Sequence, residues 1–186
     1  IGNPPFGRAC SLAIKIFNQC SKFGQYIGFI VPKSFNKISI QDKLNLNFHL
    51  FHKMDCPLVA FSDDLGVPYD GGILNTEFQI WKRQSNPRDL MQSYRSRAFK
   101  FVKKHEEYDF AFRTHGDGCG RILPTGDYNP RTTAFIKMID PEVESVFREA
   151  DFSYFRNQVS YIPCLSPAEI SLCVDEVYQK RGLEAF

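Results

Sequence analysis

The run Tyr26-Ile27-Gly28-Phe29-Ile30-Val31 constrains this chain more than any other stretch. It is too short for an ordinary helix, is bounded by Gly24 and Pro32, and is continuously apolar rather than alternating. That pattern predicts a strand buried on both faces of a parallel sheet. Residues 11 to 22, just before it, set Leu12, Ile16 and Cys20 on one stripe with Ala13 and Phe17 beside it. This is the spacing of an amphipathic helix, which Gly24 ends. A helix feeding such a strand is a crossover unit, so the expected fold class is α/β.

The pattern continues with Ile40, Leu44, Phe48 and Phe51 in helical register over residues 39 to 51, a second helix frayed by Asn45 and Asn47. Residues 58 to 61 and 77 to 82 read as strands, separated by an exposed Asp-, Gly- and Pro-rich loop over 62 to 75. Residues 86 to 107 are polar, basic and expected to be helical in part, and the boundary between two regions is placed there. Beyond it, residues 108 to 113 alternate like a strand and run into the turn Gly116-Asp117-Gly118-Cys119-Gly120. Residues 133 to 138 read as a strand, and 142 to 150 and 167 to 180 as helices. The last has Ser166 as its cap, Pro167 at its first position and Glu169 three residues after the cap. The expected division is therefore residues 1 to 85, a connecting segment over 86 to 107, and a smaller α+β region over 108 to 186.

With 186 residues, 43% of them hydrophobic, a sizeable core is expected. No stretch approaches the roughly 18 consecutive apolar residues of a membrane span, so no membrane partner is expected. The cysteines at 10, 20, 56, 119, 164 and 173 form no C-x-x-C pair and read as free thiols of a reducing compartment. His49 and His52 could share a helix face, but no third ligand stands at sensible spacing, and no metal is expected. The formal net charge is only +2. It is uneven, however: Lys82, Arg83, Arg88, Arg95, Arg97, Lys100, Lys103 and Lys104 are opposed within their span only by Asp89, and such a run attracts phosphate.

The chemistry is concentrated in Asn3-Pro4-Pro5-Phe6-Gly7. An exocyclic amine on a base is a poor nucleophile because its lone pair is delocalised into the ring. Two acceptors that hold its N–H groups out of the ring plane favour a more tetrahedral nitrogen. The Asn3 side-chain oxygen is one such acceptor, and the Pro4 carbonyl is the natural second, since prolines stiffen the turn and offer only C=O. Phe6 supplies a ring on which a flipped base can stack, and Gly7 leaves room for close backbone approach.

This pentapeptide resembles the catalytic motif [DNS]-P-P-[YFW] of the amino-methyltransferases. In that family it follows the fourth strand of a doubly wound sheet and precedes a helix, a buried strand ending in Pro, a helix and further strands. The order here is similar over residues 1 to about 83. The resemblance implies a Rossmann-like sheet and an S-adenosylmethionine-dependent enzyme with Asn3, Pro4, Pro5 and Phe6 as catalytic residues. Gly7, Lys33, Ser34 and Phe35 would shape the substrate pocket. The motif serves adenine N6, cytosine N4, guanine N2 of ribosomal RNA and the glutamine side chain of release factors. Asn-Pro-Pro-Phe-Gly with Val-Pro-Lys-Ser-Phe looks most like prokaryotic and phage DNA adenine methyltransferases. DNA methylation of the restriction-modification kind, in the cytoplasm, is what that implies.

The family holds its cofactor through a glycine turn after the first strand and an acidic residue after the second. Neither precedes Ile1, which opens directly on the motif, so a cofactor-binding half upstream in the same protein is expected as this chain's partner. The cluster at residues 116 to 120 lacks a preceding strand of parallel type and a following helix, and reads instead as a structural or DNA-facing loop. Residues 108 to 186 are expected to form an accessory or target-recognition region, with Arg95, Arg97, Arg113 and Arg121 contacting nucleic acid and His115 near phosphates. Two alternatives remain at this stage: a methyltransferase-derived module that binds nucleic acid or a partner without transferring methyl, and an enzyme whose substrate is RNA or protein.

Overall fold

The computed structural model describes residues 1–57, 62, 66–67, 75–124, 126–159 and 162–183. Among the described residues it is mixed α/β, with a three-stranded and a four-stranded sheet. It divides into two compact units, Ile1–Leu90 with Gln158–Ser160, and Met91–Asn157 with Tyr161–Phe186. The residues expected to connect two regions are thus shared out: those up to Leu90 belong to the first unit, and those from Met91 to the second. No helix among the described residues is long and apolar enough to cross a membrane.

In the first unit, helix α1 (Ser11–Cys20) runs into strand β1 (Tyr26–Pro32). The buried stripe of α1 is Ala13 and Phe17 rather than the expected Leu12, Ile16 and Cys20; Leu12 is exposed. Phe17 organises the core, with edge-on contacts to Phe29, Phe48 and Trp81 at centroid distances of 6.2, 5.6 and 5.5 Å. Burying rings of this size contributes several kcal/mol, so Phe17→Ala would cost about 3–5 kcal/mol.

The expected second helix is corrected. Helix α2 spans only Ile38–Gln41, and Phe48–Asp55 is strand β2. The Asn45 side chain accepts from the Asn47 backbone N–H two residues on, an Asx turn that redirects the chain. Phe48 still reaches the core, but from a strand. A bulge between Leu50 and His52 makes Phe51 the extra residue. His49 and His52 therefore oppose Lys82 and Ile80 on one face of a sheet, not of a helix.

Strand β3 (Thr76–Arg83) lies between β1 and β2 and is antiparallel to both, so β1 and β2 share one direction. The neighbour of β1 in this sheet is thus antiparallel, contrary to the expected all-parallel setting. On the other side of β1 a single parallel bridge joins Gly2 to Phe29: the Gly2 N–H donates to Gly28 O at 2.9 Å and the Ile30 N–H donates to Gly2 O at 3.1 Å. Residues 58 to 61, expected as a strand, and most of the loop from 62 to 75 lie outside the described residues.

The second unit carries strands β4 (Phe99–Val102), β5 (Phe110–Arg113), β6 (Ile122–Leu123) and β7 (Thr133–Met138) in the order β4-β7-β5-β6, all antiparallel. The helical character expected within 86 to 107 is absent among the described residues. Instead, Phe99 and Phe101 of β4 pair with Met138 and Ile136 of β7. Helices α3 (Val143–Glu149), α4 (Ser153–Arg156) and α5 (Pro167–Lys180) complete the unit. The Ser166 and Glu169 capping box at the start of α5 forms as the sequence predicts.

Candidate functional site

The parallel bridge at Gly2 sets the next residues, Asn3 to Cys10, at the carboxyl end of β1, where the turn Lys33–Asn36 also leaves the sheet. Ligands of open α/β sheets gather at such carboxyl edges. Asn3 and Pro5 are exposed, Phe6 is half-buried and Pro4 is buried. Among the described residues neither the Asn3 side chain nor the Pro4 carbonyl carries a hydrogen bond, whereas the neighbouring Phe6 carbonyl accepts from the Leu12 and Ala13 N–H groups at 3.1 and 3.4 Å. The Asn3 side chain and the Pro4 carbonyl are thus unengaged among the described residues, and the Phe6 carbonyl beyond them is used to start α1.

The exit from this turn is strained. Gly7 has φ +69°, and a Cβ built there would lie 2.8 Å from Leu12 Cγ and 3.0 Å from its backbone nitrogen. The position therefore requires glycine on both conformational and steric grounds. Ala9 and Cys10 follow at φ +50° and +61°, left-handed values that cost L residues of order 1 kcal/mol each. Cys10 is buried and its Sγ lies 3.3 Å from Ser34 Oγ. Burial pushes the thiol pKa up, and the Ser34 hydroxyl offsets part of that rise.

The expected pocket residues separate into different roles. Lys33 pairs with Asp55 at 2.9 Å, and its backbone N–H donates to Asn75 O at 2.9 Å. Ser34 meets Cys10 as described. Phe35 is corrected: it is fully buried in the Phe17 core and cannot line an open pocket.

A buried polar network lies behind this turn, and sequence reading missed it. Asn36, Glu77, Gln79 and Trp81 are all nearly inaccessible. Trp81 Nε1 donates to Gln79 Oε1 at 2.9 Å; Gln79 Nε2 donates to Glu77 Oε1 at 2.6 Å and to Asn36 Oδ1 at 3.2 Å. Asn36 Nδ2 donates to Glu77 Oε1, to Gln158 Oε1 at 2.8 Å and to Lys33 O at 3.1 Å. The signal was the parity of β3. Glu77, Gln79 and Trp81 oppose Val31, Phe29 and Ile27 and point inward, while Phe78 and Ile80 take the half-buried face.

The basic run is divided between the two units. Arg83 donates to Gly24 O and to Ser21 O, and Arg88 donates to Phe48 O at 2.7 Å and Gln41 O at 2.9 Å with its guanidinium 5.4 Å from the Trp81 ring. These side chains tie the first unit together, and burial lowers the pKa of Arg88, with Asp42 opposing. In the second unit Arg95 is exposed, donates to the Gln92 and Tyr94 carbonyls and lies over Phe101; Arg97 is exposed too. Residues 116 to 120 close a hairpin between β5 and β6, with the Arg113 N–H donating to Arg121 O and the Gly120 N–H to Arg113 O. Arg113 Nη1 donates to Thr132 Oγ1 at 3.0 Å, and Arg121 is exposed. His115 is exposed, with Nδ1 3.2 Å from Thr114 Oγ1. No helix follows this glycine turn, so it offers no helix N-terminus to a phosphate.

No group of three or more His, Cys, Asp or Glu side chains that could hold a metal ion occurs among the described residues. Comparison of the chain with protein-family models, with curated proteins and with solved structures finds no match.

Proposed function

We propose that the first unit is the amine-holding part of an S-adenosylmethionine-dependent methyltransferase that acts on an exocyclic amino group, adenine N6 in DNA. The observation that carries this reading is that Asn3 Oδ1 and Pro4 O, on a proline-stiffened turn at the carboxyl edge of β1, accept no hydrogen bond among the described residues. A Rossmann-like, doubly wound sheet is part of the proposal. The parallel bridge at Gly2, the helix between it and β1, and the shared direction of β1 and β2 support it.

S-adenosylmethionine would supply an electrophilic methyl group when bound. Apart from Gly7, which belongs to the motif turn itself, the described residues contain no glycine turn leading into a helix, so they do not fit the cofactor itself. We assign its binding to a further, upstream part of the same protein. The residues of this chain act on the amine. Asn3 and the Pro4 carbonyl accept its two N–H groups and turn its lone pair out of the ring plane, while Phe6 stacks on the base. Arg95, Arg97, Arg113 and Arg121 are proposed to contact the DNA backbone.

The test is transfer of labelled methyl from S-adenosylmethionine to unmethylated DNA by the longest natural form of the protein, beside its Asn3→Ala variant. Label on adenine that falls at least 100-fold in the variant is the expected result, on the scale of a misplaced or missing catalytic acceptor. No transfer to DNA, RNA or protein by a form that binds the cofactor would overturn the enzyme reading in favour of a binding module.

A further inference from the structure

The polarity of the buried network is set by its ends. An indole N–H can only donate, so Gln79 must present Oε1 to Trp81 and turn Nε2 the other way. Glu77 Oε1 accepts from both Gln79 Nε2 and Asn36 Nδ2. With both neighbours fixed, Asn36 has one orientation available: Oδ1 toward Gln79, and Nδ2 toward Glu77, Gln158 and the Lys33 carbonyl. That last bond closes the turn Lys33–Asn36 on itself. The same turn presents Ser34 to Cys10, and Cys10 ends the strained exit from the motif turn. Hydrogen bonds, joined through the backbone from Lys33 to Ser34, thus connect the sheet core to Cys10, whose N–H donates to Gly7 O at the end of the motif turn.

We infer that Asn36, oriented by Gln79 and Glu77, is a positioning residue that holds the Lys33–Ser34 wall of the target-amine pocket against the Asn3–Phe6 turn. This rests on the methyltransferase reading. Asn36 touches no substrate: it is buried and spends its polar atoms on protein. Its effect comes through Ser34 and the motif turn, where displacement by about 1 Å is enough to cost on the order of 100-fold in rate.

The experiment compares wild type, Asn36→Asp and the double variant Asn36→Asp/Glu77→Gln in the longest natural form of the protein. Methyl-transfer kcat and KM, cofactor affinity, thermal midpoint and tryptophan emission are measured for each. Trp81 is the single tryptophan of this sequence and donates into the network; if the rest of the protein holds others, they are replaced first. Asn36→Asp sets two carboxylates together and is expected to lower kcat about 10- to 100-fold with cofactor affinity unchanged within twofold, and to shift the emission. The double variant restores one amide and one carboxylate with their positions exchanged but leaves Lys33 O without its donor, and is expected to recover the emission and little of kcat. Should Asn36→Asp fail to fold, the double variant and Asn36→Ser carry the comparison.

Wild-type kcat in an Asn36 variant whose Trp81 emission has moved would overturn the inference and leave the methyltransferase reading standing. A lowered thermal midpoint with unchanged kcat in the folded protein would reduce Asn36 to a structural residue and overturn it equally. Absence of transfer by the wild type would remove the reading and the inference together.

Discussion

Cys10 Sγ lies 3.3 Å from Ser34 Oγ, across 24 residues of chain, and so joins the turn that follows Asn3-Pro4-Pro5-Phe6 to the turn that follows β1. Cys10 is also one of two adjacent non-glycine residues with positive φ. The neighbouring Ala9 has no contact of comparable specificity, and its left-handed backbone is the feature to relieve. Ala9→Gly is expected to stabilise the protein by about 0.5–1 kcal/mol, seen as a thermal midpoint raised by roughly 2–4 °C. An unchanged or lowered midpoint would mean that the strain at this position is not stored in the native state.

Gly7 offers the opposite case. Its φ of +69° and the 2.8 Å approach of a built Cβ to Leu12 Cγ leave no room for a side chain. Gly7→Ala is expected to lose about 1–3 kcal/mol, and also to disturb the motif turn, because the Phe6 carbonyl that seats Leu12 and Ala13 lies immediately before it. Chemical denaturation compares the two proteins. A stability loss below a few tenths of a kcal/mol would contradict the steric argument.

Gln79→Glu places a second carboxylate where Nε2 now lies 2.6 Å from Glu77 Oε1, in a site with no exposure. The pair then keeps a proton in the folded state, so its folded pKa is raised above the unfolded value near 4.3. A raised folded pKa contributes stability at low pH that is lost as pH rises through it. The variant should therefore be weakened by several kcal/mol at pH 8 and much less at pH 5. Denaturant midpoints measured across that range decide the matter, and a pH-independent loss would count against a buried carboxylate at Glu77.

Tyr94 donates its hydroxyl to Asp175 Oδ2 at 2.6 Å, while Ser96 donates to Asp175 Oδ1 at 2.6 Å. Burial, together with the hydrogen bond and charge of Asp175, pushes the Tyr94 pKa up to about 12. Because the folded value lies above the ordinary 10.0, the contribution is complete below pH 10 and is lost as pH rises toward 12. Ultraviolet titration of tyrosinate should show a late-ionising group that moves to lower pH in Asp175→Asn and is missing in Tyr94→Phe. A titration unaffected by Asp175→Asn would remove Asp175 as a cause.

Two arginines separate the proposed DNA binding from folding. Arg121 is exposed at the hairpin base and forms no ion pair among the described residues, so Arg121→Gln should weaken DNA binding and reduce the slope of log K against log salt by about 0.9 for one lost phosphate contact. Arg88 spends its guanidinium on the Phe48 and Gln41 carbonyls. Arg88→Gln should leave the salt slope unchanged and cost about 1–3 kcal/mol of stability. Equal salt slopes for Arg121→Gln and wild type would take Arg121 out of any nucleic-acid surface.

Elements whose signals are local were legible in the sequence. The apolar run of β1 stops at Pro32, the capping box at Ser166 and Glu169 opens α5, and the alternation over residues 108 to 113 runs into β5. In each case neighbouring residues contain the whole cause: a missing donor, a reciprocal cap, or a period of two. The stiffness and the acceptors of Asn3-Pro4-Pro5-Phe6 are likewise properties of the residues themselves.

What tertiary structure decided was the use made of ambiguous periods and of polar side chains. Ile40, Leu44 and Phe48 keep a helical spacing, yet the Asx turn at Asn45 and pairing with β3 draw Phe48 into a strand. The burial of Phe35, the allocation of Arg83 and Arg88 to carbonyls, and the joining of Asn36, Glu77, Gln79, Trp81 and Gln158 all depend on partners tens of residues away. A hydrogen bond names its two partners only after the chain has brought them within about 3 Å. The sequence alone therefore determined where the turns and caps lie, and tertiary packing decided which polar side chains are spent on other parts of the protein.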